Sequence, residues 1–70
     1  MKYIAVMASK KQHFDDFIRL VAGVDRNKFK LVMNFDDIRG LEFISAISIG
    51  DYDRIPHYTA LHSHVYSRIR

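Results

Sequence analysis

Three groups of residues have the types and spacing that chemistry needs. Ser9, Lys10 and Lys11 stand where the spacing of apolar residues starts a helix, so a hydroxyl, two cations and free backbone donors could receive a phosphate there. The plainer reading is a capping box, with the Ser9 hydroxyl and the Gln12 amide each taking a backbone donor and the lysines solvated. The chain has neither G-x-G-x-x-G nor G-x-x-x-x-G-K-[ST], the patterns that bring backbone close to phosphate. Asp51 and Asp53 form an Asp-x-Asp pair, with Asp36 and Asp37 as further oxygen donors for magnesium or calcium. Acidic residues just ahead of a helix are also what its dipole favours. His57, His62 and His64 crowd the chain end, but zinc sites on helices favour i, i+4 pairs, which these are not. His57 and His64 share a helix face at i, i+7, roughly 10 Å apart along the axis, too far for one ion. They read as surface or interface histidines, and His13 as a solvated neighbour of Asp16 or Phe17.

Nucleophilic catalysis needs a nucleophile beside a base that a third group orients. Ser45 and Ser48 fall inside an apolar strand, Ser9 is committed to a cap, and no serine sits in a G-x-S-x-G elbow. The expectation is a protein that is not an enzyme, with no cofactor and no metal. Binding chemistry remains. Tyr52, Arg54, Tyr66 and Arg68 are of the residue types most enriched in binding hot spots, and they are the expected partner-binding set.

The elements that must carry these residues follow from apolar spacing. Lys2–Met7 is a nearly continuous apolar run, the mark of a strand buried on both faces of a parallel sheet. Phe14, Phe17, Ile18 and Val21 recur at helical spacing, with Asp15, Asp16 and Arg19 off the stripe. Gly23 suits the left-handed position after the helix, and Val24 the accompanying apolar contact. Phe29–Met33 reads as a second strand, with Lys30 suggesting an edge. Asn34 caps a short helix whose first turn holds Asp36 and Asp37 and which Gly40 stops. Phe43–Ile49 is the third strand, with Phe43, Ile47 and Ile49 for a core and Ser45 and Ala46 for close packing. Pro56 suits the first position of a last helix, whose stripe is Tyr58, Leu61, Val65 and Ile69. The order β-α-β-α-β-α implies an α/β domain with a three-stranded parallel sheet. Strand order 2-1-3 is preferred, since it sets the two least polar strands side by side. Ligands of such sheets bind beyond the C-terminal strand ends, here the rim of Ala8, Ser9, Lys10, Lys11, Asn34, Gly50, Asp51 and Tyr52.

Size and charge bound the rest. Seventy residues make one domain, 1–70. A chain this short buries only about 60% of the surface its unfolded form exposes. With no cysteine to form a disulfide, the remaining staple is a partner chain, so a homodimer is expected. The absence of cysteine also fits a cytoplasmic setting. No apolar run approaches the roughly 20 residues of a membrane span. The six-residue apolar run at the N-terminus is too short for a secretory signal. The net charge of +3 permits contact with nucleic acid without demanding it.

Asn34-Phe35-Asp36-Asp37-Ile38-Arg39-Gly40-Leu41, the strand end Gly50-Asp51-Tyr52 and Pro56 opening the last helix resemble the small α/β proteins common in bacteriophage genomes. Those often carry a D-L-R-G-L-like turn and a V-G-[DE]-[WY]-like strand end; Ile38 and Leu41-Glu42 depart from that pattern. The resemblance implies a phage or mobile-element accessory protein with a mini Rossmann-like core, acting in the host cytoplasm by binding and inhibiting a host protein. The alternative reading is a nucleotide- or nucleic-acid-binding module that uses Ser9, Lys10 and Lys11.

Overall fold

The near-continuous apolar run at the start of the chain is the centre of the molecule. The computed structural model describes residues 1–21, 23 and 25–70. It consists of β1 (Tyr3–Met7), α1 (Lys11–Leu20), β2 (Phe29–Val32), β3 (Phe43–Ser48) and α2 (Tyr58–Ser67). Three single 3₁₀ turns, Arg26–Lys28, Phe35–Ile38 and Tyr52–Arg54, join them. The sheet is parallel throughout, in the order β2-β1-β3. Ala5, Val6 and Met7 have no solvent exposure, as a central strand covered on both faces requires.

Alternation along the strands divides the core in two. Ala5 and Met7 face α2 and pack with Val32, Ile38, Phe43, Ile55, Leu61 and Val65 into one buried cluster. Tyr3, Leu41, Ala46, Tyr58 and Ile69 close its margin. Val6 and Ala8, also buried, face the other way, toward α1 and its buried Phe14. There Phe17 meets Phe29 of β2 edge to face at 5.7 Å, so α1 lies toward the β2 side. Ile47 and Ile49 at the far edge are only half covered, and Ser45 is exposed. Ile44 is the extra residue of a bulge: Tyr3 pairs with Phe43 but Ile4 pairs with Ser45.

Several local details depart from expectation. The capping box at Ser9 and Gln12 is absent. Lys10 is the N-cap of α1 and no side chain caps it, while the Gln12 amide donates to Asp16 Oδ1 at 2.8 Å. The capping box that does form is on Asn34. Its side chain accepts from the Asp36 N–H, and the Asp37 carboxylate accepts from the N–H groups of Asn34 and Met33. What it starts is one 3₁₀ turn rather than an α-helix, because Gly40, at φ 75°, turns the chain away. Pro56 precedes the last helix instead of opening it. His57 takes the left-handed conformation (φ 58°, ψ 37°), so regular helix begins only at Tyr58. Gly23 is left-handed as expected (φ 89°), and the apolar contact assigned to Val24 lies outside the described residues.

After α2 the chain turns onto the outer edge of β3. The Phe43 N–H donates to the Arg68 carbonyl at 2.9 Å, and the Arg70 N–H donates to the Phe43 carbonyl at 3.1 Å. Residues 68–70 thus shield the start of that edge.

Candidate functional site

The period of α2 sorts its residues into three stripes. Leu61 and Val65 point into the core. His64 lies on the flank over the Phe35–Ile38 turn, where its ring meets Phe35 edge to face at 5.1 Å. Tyr58, His62 and Tyr66, each four residues from the next, lie on the opposite flank, the β3 side. The Tyr58 hydroxyl fixes that placement, sharing a hydrogen bond of 2.7 Å with Ser48 Oγ of β3.

On this flank the rings form a continuous stripe. Tyr52, from the turn before α2, lies 5.0 Å from Tyr58; Tyr58 lies 5.6 Å from His62; His62 lies 4.2 Å from Tyr66. All three pairs are tilted, at interplanar angles of 48°, 57° and 59°. Tyr66 is 50% exposed and Tyr52 38%. Rings of this kind offer large, rigid contact area with a polar handle, at little cost in side-chain entropy.

The expected partner-binding residues meet this stripe unequally. Tyr52 and Tyr66 are its two ends. Arg54 is exposed in the turn beside Tyr52. Arg68 is turned inward: its guanidinium donates to the Leu41 carbonyl at 3.2 Å, which ties the end of α2 to the loop before β3. Tyr58 and His62 were missing from the expected set. Their spacing with Tyr66 was visible as a repeat of four, but the Ser48 anchor that orients it is a tertiary contact.

The rim at the C-terminal strand ends is arranged differently. The Ser9 hydroxyl is buried and bonded to nothing. Lys11 Nζ is spent on Asp15 Oδ2 at 3.0 Å, and Lys10 is exposed. His13 is no solvated residue: its Nδ1 is buried without a partner, and its ring lies where a Cβ on Gly50 would be. The rim therefore holds Gly50 to glycine twice over, by contact and by its φ of 57°. Ser9 Oγ and His13 Nδ1 do not bond each other, so these two side chains do not form a nucleophile–base pair. Arg26 and Lys11 both hydrogen-bond Asp15 and hold its carboxyl below the ordinary carboxylate value. Among the described residues no three His, Asp or Glu side chains converge as metal ligands. A hollow of about 520 Å³ beside the start of α2, lined by Asp53, Ile55, His57, Tyr58, Thr59 and Ala60, is open to solvent rather than enclosing. No described helix is long and apolar enough to cross a membrane.

Comparison with protein-family models, with curated proteins and with solved structures finds no match in any of the three.

Proposed function

We propose that this chain is a small non-enzymatic interaction protein, encoded by a phage or mobile element, that binds and modulates a host protein. The observation that carries the reading is the stripe Tyr52–Tyr58–His62–Tyr66: four rings in contact, half open to solvent at its ends, on the flank of a helix whose other side is anchored in the core. Hot spots are built this way, with rigid aromatic side chains held by a packed scaffold and polar groups at the margin. Arg54 supplies such a margin at one end.

The phosphate reading of Ser9, Lys10 and Lys11 has less support. Its hydroxyl is buried and one of its two lysines is paired with Asp15.

The test is capture of a bacterial host protein on the immobilised chain, followed by calorimetry with the purified partner. Tyr66→Ala and Tyr52→Ala, each at an exposed position, are expected to weaken that affinity by about tenfold or more, the size of one hot-spot side chain. Lys10→Ala is expected to leave it unchanged. Affinity that depends on Lys10 and falls with salt, but ignores Tyr52 and Tyr66, would replace this function with polyanion binding.

A further inference from the structure

We propose that in the free protein a second copy of this chain covers the aromatic stripe, docked about a two-fold axis at His62 with the two α2 helices antiparallel. This rests on the stripe being a docking face and goes further by naming its occupant.

The first support is symmetry. Tyr58 lies four residues before His62 and Tyr66 four after it, so the part of the stripe on α2 reads the same from either end, while Tyr52 extends it at one end only. A two-fold contact uses one patch on both copies and requires that self-complementarity. About this axis Tyr58 of each copy meets Tyr66 of the other, and the two His62 rings face one another.

The second support is charge. The start of the stripe is acidic. Asp51 and Asp53 are exposed and take part in none of the ion pairs among the described residues, and with Arg54 they leave two carboxylates against one cation. Its far end is basic. Arg70 and Lys2, whose Nζ donates to the Arg70 backbone oxygen at 3.4 Å, are exposed there beside Glu42, which pairs with Arg70 at 3.5 Å. An antiparallel pair sets the acidic end of each copy on the basic end of the other. A parallel pair would set like on like.

The third support is the neighbouring sheet edge. The Ile49 N–H donates to the Met7 carbonyl, which by the alternation of a parallel ladder turns Ser45 and Ile47 toward β1 and the backbone groups of Ala46 and Ser48 outward. Residues 68–70 shield only the Phe43 end. The open remainder, flanked by Ile44 at 52% exposure, runs beside the stripe, so the copy that covers the rings also screens the edge.

The stripe is short, which places the pair at the small, weak end of interfaces, so the test must reach high micromolar protein. In sedimentation equilibrium the wild-type chain is expected to form a dimer. Tyr66→Ala, the pair Asp51→Lys with Asp53→Lys, and Arg70→Glu are each expected to weaken it about tenfold or more while circular dichroism stays unchanged. Mixing the lysine pair with the Arg70→Glu chain is expected to restore association as a heterodimer, because one of its two acid–base contacts is rebuilt with its signs exchanged and the other is the wild-type contact. A chain that stays monomeric at the highest concentration overturns the proposal, as does a dimer indifferent to all three variants or a mixture that restores nothing. If the wild type is monomeric yet Tyr66→Ala still loses the captured host protein, only the second copy falls. If neither response appears, the docking face falls with it.

Discussion

The two faces of the sheet bury their apolar residues in opposite ways. On the α2 face the core is sealed: eight residues form one buried cluster, and the helix above it is pinned by its apolar stripe, the Tyr58–Ser48 hydrogen bond and the Arg68–Leu41 contact. On the α1 face the cover is partial. The helix sits toward β2, and a groove of about 300 Å³ remains between His13, Phe17 and Leu20 on α1 and Ile49 and Gly50 after β3. The outer surfaces differ in the other sense. Above α1 the polar groups satisfy one another: Asp15 bonds Lys11 and Arg26, Asp16 pairs with Arg19, and the Arg26 guanidinium lies 5.3 Å from the Phe14 ring centre. Above α2 the β3-side flank is aromatic, its middle rings Tyr58 and His62 half-buried and its end rings Tyr52 and Tyr66 exposed. The better-packed half of the molecule is thus the half that presents uncovered rings, as a binding face on a rigid support requires.

The largest effect that sharpens this contrast is in the core. Leu61 is fully buried beneath α2, whereas Leu20 on α1 is 84% exposed. Leu61→Ala should cost about 2–5 kcal/mol, from lost transfer energy and the cavity left behind. Leu20→Ala should stay within about 0.5 kcal/mol. Total stability is on the order of 0.05–0.15 kcal/mol per residue, so the first change removes a large share of it in a urea melt and the second almost none. Equal losses would mean that the α1 face is as tightly filled as the α2 face.

A smaller effect tests how the two faces meet at the rim. Gly50→Ala places a Cβ against the His13 ring and forces a left-handed conformation on a non-glycine residue. The conformational part costs about 1–2 kcal/mol, and the collision adds to it. Combining it with His13→Ala should remove only the collision, so the double variant is expected to be more stable than the sum of the two single changes predicts. Strict additivity, measured by thermal unfolding of the four proteins, would show that the ring moves aside freely and that the rim does not couple α1 to β3.

The same contrast governs what could be read from residue order. The strand order followed from pairing the two least polar strands, the buried first strand from its unbroken apolar run, and the helices from their apolar spacing, although Val21 and Ile69 of those stripes lie just beyond α1 and α2. Capping was not legible. Ser9-x-x-Gln12 has the right types, but the N-cap falls one residue later, at Lys10, and Gln12 finds Asp16 one turn ahead. Pro56 likewise fits a first helical position by propensity. Ile55, only 3% exposed, is held in the core, and the left-handed turn at His57 is how the chain leaves that anchor in the direction of α2. Of the site, the stripe at Tyr58, His62 and Tyr66 lay in the spacing all along. That Tyr52 would extend it while Arg68 would turn to the Leu41 carbonyl depends on loops whose course no local signal fixes.

The smallest expected effect concerns the charged cover of α1. Hydrogen bonds from Arg26 and then Lys11 lower the Asp15 pKa from its ordinary 3.8 in the folded chain. The unfolded chain therefore binds this proton more readily than the folded one. The resulting stabilisation is fully present above the ordinary value and is lost as pH falls through the lower folded one. Asp15→Asn keeps the shape and removes the charge. Its stability should lie below wild type at neutral pH, with the gap narrowing only once the pH drops below about 4. Because Lys11 and Arg26 are largely exposed, added salt should shrink the gap at neutral pH as well. A gap independent of both pH and salt would mean that Asp15 acts by shape alone and that the ion pairs over α1 contribute nothing. The two outer surfaces would then differ in composition but not in how they hold the fold.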